Sequence, residues 1–209
     1  MRTRIKVCGI TRVEDALAAS DAGADAIGLV FYPPSPRALD CDRARKIAFA
    51  VRPFTQVVAL FLDADADRVA EVLRTVPVDL LQFHGREPAA FCEGFGRRYI
   101  KALAMSGDAP AAAEQAAGHP GACGFLLDSH SLGEAGGTGS AFDWARYPRE
   151  IDRPLILAGG LAPGNVAAAV SATRPWAVDV SSGVESAPGL KDCARIEAFA
   201  REVASVEDC

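Results

Sequence analysis

Four side chains of this 209-residue sequence stand at or near points where an apolar run gives way to a polar or glycine-bearing turn: Cys8, His84, Asp128 and Asp179. Of these, a thiol and a carboxyl can exchange protons near neutral pH once their surroundings adjust their affinities. Cys8 lies in Lys6-Val7-Cys8-Gly9-Ile10-Thr11, where Gly9 permits a tight turn and Thr11 with Glu14 matches a capping box that opens a helix. A helix N-terminus facing the thiol, with Lys6 two residues back on the same strand face, would favour the thiolate and make Cys8 a base or nucleophile. The alternative is a small core residue closing the strand. Asp128 follows Gly124-Phe125-Leu126-Leu127 and leads into a glycine-rich stretch. It is either a loop cap or, partly desolvated, a proton donor. A thiolate base and a carboxylic acid across one mouth would suit moving a proton between carbon and oxygen, which is isomerase chemistry.

Two further groups of residues point to an anionic ligand. Gly159-Gly160-Leu161-Ala162-Pro163 and Ser181-Ser182-Gly183-Val184-Glu185 each follow an apolar run, and such loops let main-chain N–H groups approach a phosphate closely. Gly136-Gly137-Thr138-Gly139 would be a third anion nest or a flexible lid. Arg37 ends the stiff segment Pro33-Pro34-Ser35-Pro36, which would hold its guanidinium in a fixed place, either to clamp a carboxylate or as a solvated surface arginine.

These residues need a scaffold that brings the ends of separate runs together. Short β-branched runs recur at intervals of about 25 residues, separated by alanine-rich stretches with helical apolar spacing. The expected strands are Ile5–Cys8, Ala26–Phe31, Gln56–Phe61, Leu80–His84, Tyr99–Leu103, Gly124–Asp128, Pro154–Ala158 and Ala177–Ser181. The expected helices are Arg12–Ala22, Asp42–Val51, Ala66–Val76, Pro88–Phe95, Ala109–Ala117, Phe142–Tyr147, Pro163–Ser171 and Leu190–Val203. Strict βα alternation demands parallel strands, and eight units are the content of a closed (β/α)8 TIM barrel of one domain spanning 1–209, with a doubly wound open sheet as the runner-up. In a barrel the irregular stretches Tyr32–Cys41 and Ser129–Ala141 fall on the C-terminal face, where active sites form, and are candidate lids.

Composition narrows the partners. The net charge is −5 and the basic residues are scattered, which argues against nucleic acid. No segment reaches the roughly 18 apolar residues of a membrane helix, and the N-terminus lacks a signal-peptide pattern, so a cytoplasmic location is expected. The six cysteines show no metal-finger spacing and read as reduced thiols. A thiol hydrolase would need a histidine beside Cys8, and none of His84, His119 and His130 sits at an expected partner position.

Taken in order, K-V-C-G-I-T, G-A-D-A-I-G-L-V-F-Y-P-P-S-P-R, Q-F-H-G, L-L-D, G-G-T-G-S-A-F-D-W, A-G-G-L-A-P-G-N-V and V-D-V-S-S-G-V-E resemble phosphoribosylanthranilate isomerase from Lys6 to past Glu185. The resemblance implies an Amadori rearrangement in tryptophan biosynthesis without metal or cofactor, acting on a small phosphosugar; a monomer or homodimer is expected, and the sequence leaves the two open. It places Cys8 as general base and Asp128 as general acid. Arg37 and Asp179 would meet the anthranilate end. Gly159, Gly160, Ser182 and Gly183 would grip the phosphate, with Gly137 and Gly139 in the third nest. His84 would touch the sugar or order its loop. Ser140 stands where lysine is frequent in that family, which weakens the argument for a lysine contact there. The related histidine-pathway isomerase carries aspartates in both catalytic roles, against which Cys8 speaks. A non-catalytic phosphoribosyl-binding barrel would have lost the acid or the base.

Overall fold

The structure, a computed structural model, describes residues 2–105, 111–129 and 143–206. Eight parallel strands close into one barrel in sequence order: β1 (Arg4–Cys8), β2 (Ala26–Val30), β3 (Gln56–Phe61), β4 (Leu80–Phe83), β5 (Tyr99–Ala104), β6 (Gly124–Asp128), β7 (Leu155–Leu157) and β8 (Ala177–Val180). Closure is made by β1 against β8, with Arg4, Ile5, Lys6 and Val7 in register with Ala177, Val178, Asp179 and Val180. The open-sheet alternative is thereby excluded.

Around the strands lie α1 (Val13–Asp21), α2 (Cys41–Ala50), α3 (Ala66–Thr75), α4 (Ala89–Glu93), α5 (Ala112–Ala117), α6 (Val166–Thr173) and α7 (Cys193–Ser205). Three of them start on an aspartate whose carboxylate accepts backbone N–H groups of the first turn: Asp40 from Arg43, Asp65 from Arg68, and Asp192 from Ala194 and Arg195. Those donors have no partner inside the helix, so such caps fix where each one begins. The sixth unit carries only a 3₁₀ turn, Trp144–Arg146, in the described part of the expected Phe142–Tyr147 helix.

Two expectations about local structure are corrected. Thr11 and Glu14 do not form a capping box: α1 begins one residue later, Arg12 holds the cap position, and no side chain caps it. The Thr11 hydroxyl donates instead to the carbonyl of Gly189. The last helix does not start at Leu190 either. Leu190–Lys191 is β10, paired antiparallel with β9 (Glu185–Ala187), and α7 starts only after the Asp192 cap.

Alternation along the strands sorts the side chains into two layers. One set packs outward against the helices in the main core, with Val7, Ile27, Leu29, Phe61, Phe83, Leu127 and Val178 among its members. The other faces the barrel axis. Ile100, Ala102, Leu126, Ile156, Ala158 and Ala177 pack together there. Cys8, Val30 and Leu60 form a smaller cluster with Tyr32. Leu126 lies on the axis side, so Asp128, two residues on, does too; Lys6 precedes Cys8 in the same way.

Candidate active site

The C-terminal ends of the strands enclose a pocket of about 730 Å³, measured with its opening to solvent, in the place where barrel enzymes hold their substrates. Cys8, Arg37, His84, Asp128, Gly159, Gly160, Asp179 and Ser182 all line it. Residues up to 174 apart in sequence are gathered because each lies near the C-terminal end of a strand or in the loop after it. Gly183 lies just behind Ser182, packed directly against the Leu161 carbonyl, so that the loops after β7 and β8 touch. Gly137 and Gly139 lie outside the described residues.

Cys8 ends β1 and is buried. Its neighbour in register on β2 is Gly28, and a Cβ added there would lie 2.7 Å from the Cys8 sulfur. Gly28 therefore makes the space the thiol occupies. Below Cys8, Lys6 Nζ donates to Asp179 Oδ1 at 2.8 Å, both side chains being buried. Burial works against the Lys6 charge, but Asp179 and Cys8 more than offset it and keep the ammonium protonated. The expected thiolate is corrected by this setting: burial pushes the Cys8 thiol up, and Lys6 pulls it down only in part, because Asp179 opposes Lys6.

Asp128 ends β6, and its Oδ2 lies 3.0 Å from His84 Nε2. His84 is positioned from behind. Its backbone N–H donates to the Phe61 carbonyl, while the next residue, Gly85, donates to Glu87 and its carbonyl accepts from the buried Lys101 ammonium. On the other side of the ring, Gln82 Nε2 lies 3.0 Å from His84 Nδ1. His84 thus reaches the Asp128 carboxyl from a backbone that its neighbours hold in place.

Arg37 is buried rather than solvated, and its first carboxylate partner belongs to the protein. Nε and Nη2 donate to Glu185 Oε1 and Oε2, both at 2.8 Å, in the paired geometry a guanidinium favours. Lys191 also donates to Glu185 Oε1 at 2.8 Å and to the Ser181 carbonyl at 3.0 Å. Burial would raise the Glu185 carboxyl, but Arg37 and Lys191 together hold it below the usual carboxylate value. Burial works against the Lys191 ammonium, with Glu185 compensating in part, and of the three side chains Arg37 is the one that lines the pocket.

In the loop after β7, Gly159 and Gly160 have φ of 80° and 64°, left-handed backbone open to glycine without strain. Among the described residues, the backbone N–H groups of Gly159, Gly160 and Ser182 donate to no protein acceptor. Backbone N–H groups left without a protein acceptor beside a pocket are able to donate to an anion.

The family model for N-(5'-phosphoribosyl)anthranilate isomerase matches residues 5–202. The chain belongs to this family. An N-(5'-phosphoribosyl)anthranilate isomerase of Pseudomonas aeruginosa is 57% identical over 203 residues, 97% of this chain and 95% of that protein. The solved phosphoribosylanthranilate isomerase of Thermotoga maritima superposes with a TM-score of 0.87 at 37% identity, covering 97% of this chain and 99% of that one. A further isomerase of the family was solved in complex with reduced 1-(o-carboxyphenylamino)-1-deoxyribulose 5-phosphate, at a TM-score of 0.84 and 36% identity over 97% and 99% of the two chains.

Within the family frame, sequence reasoning missed Gln82, Glu185 and Lys191 as parts of the site. Gln82 carried a signal, since it stands two residues before His84 and so on the same strand face. Glu185 stood inside a quoted motif without a role. Lys191 gave none, because the apolar spacing ran on through it as if in a helix.

Proposed function

We propose that the chain converts N-(5-phosphoribosyl)anthranilate into 1-(2-carboxyphenylamino)-1-deoxyribulose 5-phosphate, the isomerisation of tryptophan biosynthesis, with Asp128 as acid and Cys8 as base. The observation that carries these roles is that the two side chains end β6 and β1 on the axis side and line the same pocket. Asp128 protonates the ribose ring oxygen as the C1–O bond breaks, and the anthranilate nitrogen supplies the electrons for a Schiff base. The Cys8 thiolate then takes the C2 proton, and those electrons move into the C1–C2 bond to give an enolamine. Loss of the O2 proton and gain of one at C1 complete the ketone. The rearrangement is redox-neutral within the substrate, and each step is a proton transfer, worth about 10²–10⁴ in rate when catalysed by a placed group.

The substrate carries a phosphate at one end and a carboxylate at the other, and the pocket lining offers partners for each. Gly159, Gly160, Ser182 and Gly183 offer main-chain donors to the phosphate. Arg37 and Asp179 receive the anthranilate end. The whole chain, 1–209, acts as one barrel domain in the cytoplasm, as a monomer or homodimer. No helix of the described residues is long and apolar enough to cross a membrane.

Complementation tests reaction and substrate together. A tryptophan auxotroph lacking this one isomerisation should grow without tryptophan when it expresses the chain. Absence of growth despite soluble protein would contradict the assignment.

A further inference from the structure

Gln82 is fully buried, yet it lines the substrate pocket beside His84 and Asp128. Its amide nitrogen lies against His84 Nδ1, while its Oε1 has no hydrogen-bond partner. A buried acceptor left unpaired is costly, and a hydrophobic side chain of similar size would avoid the cost. The amide must therefore be judged by what its nitrogen does.

An amide N–H can only donate, so Nδ1 of His84 must accept and carry no proton. A neutral imidazole has one N–H, which then sits on Nε2, 3.0 Å from Asp128 Oδ2. The reverse orientation would place the amide oxygen against Nδ1 and call for a proton there. In the neutral ring Nε2 would then be a bare acceptor facing Oδ2, and the proton of a carboxylic Asp128 would be held between those two atoms.

We propose that Gln82 is a positioning residue for the acid: its amide fixes His84 as the Nε2–H tautomer and so keeps the histidine donating to Asp128 Oδ2. The proton that Asp128 delivers rides on its other oxygen, and the carboxylate left behind is met by a hydrogen bond already in place. This preorganisation aims a donor at the atom where charge develops. The backbone clamp of Gly85 by Glu87 and Lys101 supplies the second fixed point, so the ring is held at its loop and at Nδ1.

The proposal rests on Asp128 being the acid, and its test keeps the two apart. Protein labelled with ¹⁵N-histidine, with His84 resonances identified by their loss in His84→Asn, reports which ring nitrogen is protonated without any turnover. The wild type should show Nε2 protonated and Nδ1 bare. Gln82→Glu, whose carboxylate accepts from Nδ1–H, should move the proton to Nδ1 and lower kcat at least tenfold, with KM changed less than twofold. Gln82→Met, apolar and of similar length, should leave a mixture of tautomers and an intermediate kcat, which guards against a folding defect in the charged variant. A wild-type ring protonated on Nδ1 would overturn the proposal. So would Gln82→Glu or Gln82→Met proteins with the wild-type tautomer and wild-type kcat. A wrong acid would appear elsewhere, as turnover retained by Asp128→Asn.

Discussion

Cys8→Ala is expected to lower kcat for N-(5-phosphoribosyl)anthranilate by about 10²–10⁴, with KM close to wild type and the barrel intact. The thiol packs in a small cluster with Val30, Leu60 and Tyr32 at the axis-side end of the barrel, apart from the main core, so its loss removes little that the fold depends on. The pH dependence carries more information than the size of the loss. Burial holds the Cys8 proton above the ordinary thiol value, with Lys6 compensating in part. The thiolate is then the minor form near neutrality, and kcat/KM of the wild type should climb as pH rises toward the raised value. That scarcity has a chemical return, because a thiolate of higher proton affinity is the stronger base toward a carbon acid. In Cys8→Ala the residual rate should lose this rising limb. Steady-state kinetics across pH, with circular dichroism to confirm folding, measure both points; a Cys8→Ala enzyme with wild-type kcat would remove Cys8 from the mechanism.

Asp128→Asn should be as damaging in kcat, again by about 10²–10⁴, for a different reason. The amide keeps the size of the carboxyl, and its oxygen can still accept from His84 Nε2–H, so the local structure has a way to persist. What it lacks is a proton acidic enough to give to the ribose ring oxygen. The prediction is therefore a loss in kcat with KM nearly unchanged and a thermal midpoint near that of the wild type. Steady-state kinetics together with a melting curve check it. Turnover within a few-fold of wild type in folded Asp128→Asn would show that ring opening draws its proton from elsewhere.

How far these residues could be read in advance follows from the range of the interactions that place them. The eight strands were legible because a buried parallel strand is a short β-branched run, and all eight runs became barrel strands with ends shifted by no more than two residues. Cys8, His84 and Asp128 were legible for the same reason, as polar ends of those runs. Pairings across the barrel were not. Lys6 meets Asp179 and Arg37 meets Glu185 over separations of 173 and 148 residues, which no local spacing encodes. The first of these also reversed the electrostatic reading of Cys8, since a lysine already paired with a carboxylate and buried with the thiol cannot hold it as a thiolate unaided. The Leu190–Lys191 strand was hidden by apolar spacing that continues smoothly into α7, and the break lies in the Asp192 cap instead. Thr11 had the sequence of a helix cap, but its hydroxyl is taken by Gly189, at the turn between β9 and β10.

The central claim is that Cys8 removes the proton from C2. It is tested most directly by single-turnover conversion of substrate deuterated at C2, comparing the wild type with Cys8→Ser. A hydroxyl is a much weaker base than a thiolate, so proton removal should become the slow step in the variant, with an isotope effect larger than that of the wild type. A Cys8→Ser enzyme that is slow yet shows no isotope effect would place Cys8 in another step and contradict its role as the base.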